Sequence, residues 1–167
     1  DANQKAGYVA LINTDWGGDY SVENYHDKYW MTYLGGNTTG YESGTLKIGL
    51  AYTTELTEAN EWNRNSAPLL SPMDEDVRWY DDRTIFKSLA IRDTQKHTGH
   101  PFVMFYNAKG DTAHYESIAM AVSDDMVAWK RYGENPVITR GKGICGDAQI
   151  AKIGDIYVMF YFGAFWK

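Results

Sequence analysis

Cysteine is almost absent: Cys145 is the one copy in 167 residues. That excludes an intramolecular disulfide and a cysteine-based metal cluster. No apolar run reaches the length of a membrane-spanning helix, so no membrane partner is expected. Basic residues are few, 16 Lys and Arg against 22 Asp and Glu, and they form neither cluster nor stripe. Nucleic-acid affinity rests mainly on counterion release by such residues, so phosphate backbones are excluded as partners. His26, His97, His100 and His114 are scattered without ligand spacing, and neither a metal nor a cofactor is expected. No stretch has a 3.6-residue apolar period, so no helix is expected. The first residues, Asp1 to Lys5, lack the charged-then-apolar layout of a signal peptide; such a segment was removed or was never there.

Aromatics, by contrast, are plentiful, with 13 Tyr and 6 Trp. Most suit a β-rich core. Flat rings with polar edges also suit a sugar-binding surface. One pattern occurs three times: Asp-x-x-(Val/Ile), a turn, then a strand with Met shortly before Tyr. Asp19 leads to Met31 and Tyr33, Asp82 to Met104 and Tyr106, and Asp147 to Met159 and Tyr161. The three Asp residues lie 63 and 65 residues apart, a period that signals a repeat architecture.

In the first repeat the strands read Tyr20–Tyr25, Lys28–Leu34, Leu46–Thr53 and Ala67–Leu70. In the second they read Arg83–Ala90, Pro101–Asn107, Ser117–Ser123 and Pro136–Thr139. Trp62 and Trp129 match each other, as do Tyr41-Glu42-Ser43 and Tyr115-Glu116-Ser117. The third repeat stops after its second strand. Residues 1–18 hold one short apolar run, Tyr8–Ile12, read as a strand of a preceding blade or an edge. Four short antiparallel strands per repeat, with Gly and Pro at the turns, describe a propeller blade. The expected fold is therefore all-β, a single partial β-propeller domain over 1–167. It holds a blade at 19–72, a blade at 82–139 and a half blade at 147–167. Even the smallest propellers close with four blades, so the chain is expected to be a fragment or to be closed by a partner. Two chains of two and a half blades would make five, which gives a homodimer as one way to close the ring.

At these residues the sequence resembles the five-bladed β-propeller glycoside hydrolases, the group of arabinanases, β-xylosidases and invertase-like enzymes. The stretch Ser123-Asp124-Asp125-Met126-Val127-Ala128-Trp129 followed by Pro136-Val137-Ile138 resembles that group's blade signature. The group usually has Asp-Pro at the first carboxylate, where this chain has Asp19-Tyr20. The resemblance implies that first strands line a channel and that Asp19, Asp82 and Asp147 converge on its mouth. The loops Gly35–Gly44, Asn107–Tyr115 and Gly163–Trp166 would form the rim. It implies Asp19 as general base or nucleophile, Asp147 as the catalytic aspartate that positions substrate and tunes the acid's pKa, and Asp82 as a binder of sugar hydroxyls. Trp16, Trp79, Phe165 and Trp166 are placed where a sugar ring can stack. The general acid of that group is a Glu on a later blade, and Glu42 and Glu116 are stand-ins for it here.

The function this implies is a secreted or periplasmic hydrolase of plant or microbial oligo- or polysaccharide. Glycoside hydrolysis needs two carboxylates brought together from distant points. The same residues have plainer readings. A repeated Asp before a strand can cap a turn, the tryptophans can be core, and the repeated Glu can brace its own blade. A non-catalytic carbohydrate-binding propeller and a protein-binding propeller are the rival functions. A phosphorylase would need cations near the pocket, for which Arg78, Arg83 and Lys109 are the nearest.

Overall fold

The computed structural model describes residues 3–57, 61–111, 115–139 and 143–164. Among them there is no helix, and the strands form three antiparallel sheets. The first has the order β1 (Asn3–Val9), β2 (Tyr29–Gly36), β3 (Leu46–Thr53), β4 (Asn63–Arg64). The second has β5 (Thr84–Arg92), β6 (Phe102–Lys109), β7 (Ser117–Ser123), β8 (Trp129–Arg131). The third pairs β9 (Ile144–Ile153) with β10 (Ile156–Ala164).

The sheets stack face on face. β5 touches β1, β2 and β3 on one side, and β9 touches β5, β6 and β7 on the other. The middle sheet is thus covered twice, which is why Ile85, Phe86, Phe102, Met104, Tyr106, Ile118 and Val122 are all buried. A sheet buried on both faces reads as continuous apolar runs rather than alternation. The third sheet is covered once. Ile153, Ile156, Phe160 and Phe162 are exposed on it, and β10 is its outer strand.

The first sheet begins at Asn3 rather than near Asp19. The expected strand Tyr20–Tyr25 is not formed; that segment makes one isolated bridge, Ile12 to Val22. Tyr20 has φ of 53°, and His26 and Asp27, the expected turn, have 54° and 56°, so left-handed backbone interrupts regular pairing at both ends of the expected strand. The apolar run Tyr8–Ile12 therefore belongs partly to β1, the first strand of this sheet. The outer strands also shift. β4 and β8 lie just after Trp62 and at Trp129, while Leu70 and Ile138 make single bridges to Ile48 and Ile118. Pro68 and Pro136, just upstream of those bridges, lack the N–H a ladder needs. The matched pairs of the repeat still hold, because Ile48 and Ile118 are themselves equivalent.

Two polar devices fix the blades. In the turn after β7, Ser123 Oγ accepts from the N–H of Asp125 and Met126, and Asp125 Oδ1 accepts from Val127 and Ala128. Trp129 Nε1 then donates to Met126 O at 2.8 Å. The blade signature is thus a self-capped turn that docks its own tryptophan. At the outer strand of the second sheet, Arg131 has its side chain fully buried. It donates to Asp81 at 2.6 Å, Asp76 at 2.6 Å, Asp74 at 3.1 Å and Ser71 O at 2.8 Å. This ties the connecting segment 71–81 to β8.

Candidate functional site

The first strands β1, β5 and β9 share an irregularity. Each carries a register shift against its neighbour, between Gln4 and Ala6, Phe86 and Leu89, and Gly146 and Gln149. Such a bulge leaves an extra residue unpaired and re-aims its side chain, and bulges are frequent next to active sites. On β5 the bulge residue is Lys87 and on β9 it is Asp147, with φ of 50° and 57°. Left-handed backbone at a non-Gly residue is uncommon and clusters at functional positions. Each is the fourth residue of its strand, so the two are structural equivalents in adjacent blades.

These residues meet. Lys87 Nζ lies 3.1 Å from Asp147 Oδ1 and 3.4 Å from Oδ2, and 2.9 Å from Glu42 Oε1. Burial works against the charge on Lys87, but the bonds to Glu42 and Asp147 outweigh it and hold its ammonium well above the ordinary range. Behind Asp147 stands Asn107, whose Oδ1 accepts from the Asp147 N–H at 2.9 Å. The Asn107 amide donates to Glu116 Oε1 at 2.6 Å and reaches Asp147 Oδ1 at 3.4 Å. Glu116 also pairs with Lys109 at 3.1 Å. Gly146 permits this approach, because a Cβ there would stand 2.2 Å from Asn107 Nδ2.

Two cavities open on the cluster. One of 450 Å³ is lined by Tyr8, Tyr41, Lys87, Asp147 and Gln149, among others. The other, 570 Å³, is lined by Glu42, Arg83, Thr84, Lys109, Tyr115 and Glu116, among others. Burial pushes the Tyr8 phenol above its usual range. Its hydrogen bond to Tyr41 and the charges of Tyr41, Asp147 and Glu42 act in the same direction. Two of the expected rim loops do line these cavities, Gly35–Gly44 through Tyr41 and Glu42, and Asn107–Tyr115 through Lys109 and Tyr115.

The three repeated aspartates are placed differently from one another. Asp147 is in the cluster. Asp82 lies two residues before β5, and its Oδ1 accepts from the Asp111 N–H at 2.7 Å. It is therefore near the second cavity but five positions away from the true counterpart of Asp147. Asp19 is exposed, and one oxygen accepts from Asn13 Nδ2, Ser21 N and Ser21 Oγ. The Ser21 backbone bond, with the Ser21 and Asn13 side chains, lowers its pKa. The neighbouring segment runs along the far end of β9, with Trp16 N bonded to Lys152 O at 2.8 Å. At about 3.3 Å per residue, roughly 16 Å of strand separates Lys152 from Asp147. Asp19 and Trp16 thus lie at the other end of β9 from the cluster. Trp16 stacks on Phe160 at 5.9 Å, and Trp79 packs edge-on against Tyr80 at 5.6 Å beside the start of β5. Phe165, Trp166 and His114 lie outside the described residues.

Lys87, Tyr8, Tyr41 and Asn107 were not visible as site residues in the sequence. One signal leads to Lys87. Met104 pairs with Ala90 and Met159 with Ile150, and counting back three residues from each partner reaches Lys87 and Asp147.

No family model and no curated protein matches the chain. Solved structures do. A protein described as a glycoside hydrolase superposes with a TM-score of 0.90 at 44% identity, over 96% of this chain and 48% of its own. In sequence and fold the chain is similar to half of a glycoside hydrolase, and its more distant neighbours are β-propeller glycosidases. A protein solved as a BT0996 RGII complex matches with the same figures. A fructofuranosidase from Schwanniomyces occidentalis complexed with fructose matches at 16% identity and a TM-score of 0.66, over 95% of this chain and 29% of its own; that likeness shows the fold alone. The chain spans about half the length of the first two relatives.

Proposed function

We propose that this chain supplies half of a five-bladed glycoside hydrolase that cleaves O-glycosidic bonds in an oligo- or polysaccharide. The observation that carries the reading is Asp147, aimed beside a cavity by a bulge in a chain 44% identical to a glycoside hydrolase. Hydrolysis needs one protonated acid and one ionised carboxylate. Asp147 takes the role of base or nucleophile. Asp19, with three donors on one oxygen, holds its turn. Glu116 is enclosed by Lys109 and Asn107 and braces the site. Glu42 is paired with Lys87, so the protonated acid comes from the other half of the ring. Further sequence or a second copy of the chain completes that ring. Sugar hydroxyls suit the Tyr8, Tyr41 and Gln149 side chains of the first cavity. A relative bound in an RGII complex makes RGII the first carbohydrate to test. Polysaccharides do not cross membranes, which fits a secreted or periplasmic protein.

The test is turnover of RGII-derived oligosaccharides by the intact protein and by Asp147→Asn. Loss of a positioned base costs about 10²–10⁴-fold, with Asp19→Asn close to wild type. Unchanged turnover in Asp147→Asn refutes the site. Saturable sugar binding with no product in the wild type favours the non-catalytic carbohydrate-binding reading.

A further inference from the structure

We propose that the 570 Å³ cavity is a subsite for an acidic sugar: the Arg83 guanidinium takes the carboxylate of a uronic acid unit that neighbours the unit facing Asp147. The inference rests on the carbohydrate reading above and names the class of sugar. Arg83 stands just before β5, and its N–H donates to Lys109 O at 3.2 Å, at the end of β6. Thr84, the first residue of β5, pairs with Lys109 in register, and its Oγ1 accepts from Leu46 N at 2.9 Å. The backbone that carries Arg83 is thus fixed both to β6 and to the head of β3.

Charge decides the ligand. Of the described residues that line the cavity, Glu42, Arg83, Lys109 and Glu116 are charged. Glu116 is paired with Lys109 at 3.1 Å and Glu42 with Lys87 at 2.9 Å. Among the described residues the Arg83 side chain has no ion pair and no hydrogen bond. Asp82, its neighbour in sequence, accepts instead from the Asp111 N–H. Arg83 is therefore a cation left over once the cavity's two carboxylates are matched. On the other side, Lys87 is shared between Glu42 and Asp147, so that side keeps an unmatched negative charge. The site is positive at one end and negative at the other. A free guanidinium offers a planar fork that fits a carboxylate with two parallel bonds. A neutral sugar offers it hydroxyls alone. Arg83 precedes Lys87 by four residues, up to roughly 13 Å of strand. That span places the carboxylate on a unit beside the one at Asp147.

The experiment is a titration of the intact protein with the methyl glycosides of galacturonic and glucuronic acid, and with the neutral methyl ester of each. Binding is followed by shifts in the amide NMR spectrum at low ionic strength. Wild type is expected to bind one or both acids about tenfold or more tighter than the matching ester, the worth of a charge-assisted hydrogen bond. Arg83→Gln removes that preference and leaves ester binding in place. Arg83→Lys keeps the charge without the fork and retains part of the preference. Equal binding of acid and ester, or binding of neither, overturns the proposal, as does a preference that survives in Arg83→Gln. Cleavage that requires inorganic phosphate, releases a sugar phosphate and fails in Arg83→Gln assigns the guanidinium to phosphate and also overturns it. Hydrolysis of RGII-derived oligosaccharides that is equal in wild type and Arg83→Gln, with no preference for acid over ester, keeps the hydrolase and refutes the acidic subsite. An Arg83-dependent preference without cleavage of any carbohydrate supports the subsite and refutes only the enzymatic reading.

Discussion

Replacing Arg131 by Met tests whether a buried charge network anchors the connecting segment 71–81 to β8. The guanidinium side chain is wholly enclosed and bonds three carboxylates and one carbonyl. Methionine fills much of the same volume but leaves Asp81 buried with only Tyr106 Oη and the Arg78 N–H, each at 2.8 Å. Asp74 and Asp76 are 37% and 42% exposed, so water takes over for them and their loss adds little. The cost is then essentially that of one uncompensated buried charge, about 3–5 kcal/mol. With a urea slope of about 2 kcal/mol/M, the midpoint falls by roughly 2 M. Equilibrium urea unfolding followed by tryptophan fluorescence reads this directly. Arg131→Met combined with Asp81→Asn recovers part of the loss, because the stranded charge is gone. A midpoint within about 0.3 M of wild type at unchanged slope refutes the network as a source of stability.

Gly146→Ala drives a methyl into the Asn107 amide. Overpacking of this kind costs about 1–3 kcal/mol, and turnover falls while sugar binding changes less, as steady-state kinetics will show. Asp93 is buried, and burial alone raises its pKa. The N–H groups of His97 and Gln95 and the His97 ring outweigh this, so its folded pKa is depressed. The stability it contributes is fully present above the unfolded carboxylate value of about 3.9 and is lost as pH falls through the lower folded value. Thermal melts from pH 6 to 2 should therefore show a steeper acid loss in wild type than in Asp93→Asn. β10 presents Phe160 and Phe162 on an outer strand. Unprotected edges of this kind pair with other chains, so Phe160→Lys lowers the self-association of residues 1–167 measured by light scattering.

Strands two and three were legible because they sit in the stack, where both faces are apolar and the matched Ile48 and Ile118 repeat. β3 and β7 begin and end where the sequence places them. The first strand of the first sheet was not legible in the same way. Asn-Gln-Lys-Ala-Gly-Tyr-Val has little apolar alternation, as expected for a strand at the edge of its sheet, paired on one side only. Asp19 resembles Asp82 and Asp147 in sequence, but its carboxylate accepts from Asn13 and Ser21 and lies outside the cluster. The bulges explain the remaining gap. A bulge is a backbone event with no residue signature when the residue is Lys or Asp, and the long Ile91–His100 connection hides the equivalence of Lys87 and Asp147. Only the pairing register reveals it.

The proposed hydrolase requires a carbohydrate held against Asp147 and Lys87. Its most direct test is a crystal structure of the intact protein with an RGII-derived oligosaccharide bound. The expected structure has a sugar ring in the cavity lined by Tyr8, Tyr41, Lys87 and Asp147, with a hydroxyl or anomeric carbon facing the Asp147 carboxylate. A sugar bound instead at the Trp16 and Asp19 end of β9 contradicts it.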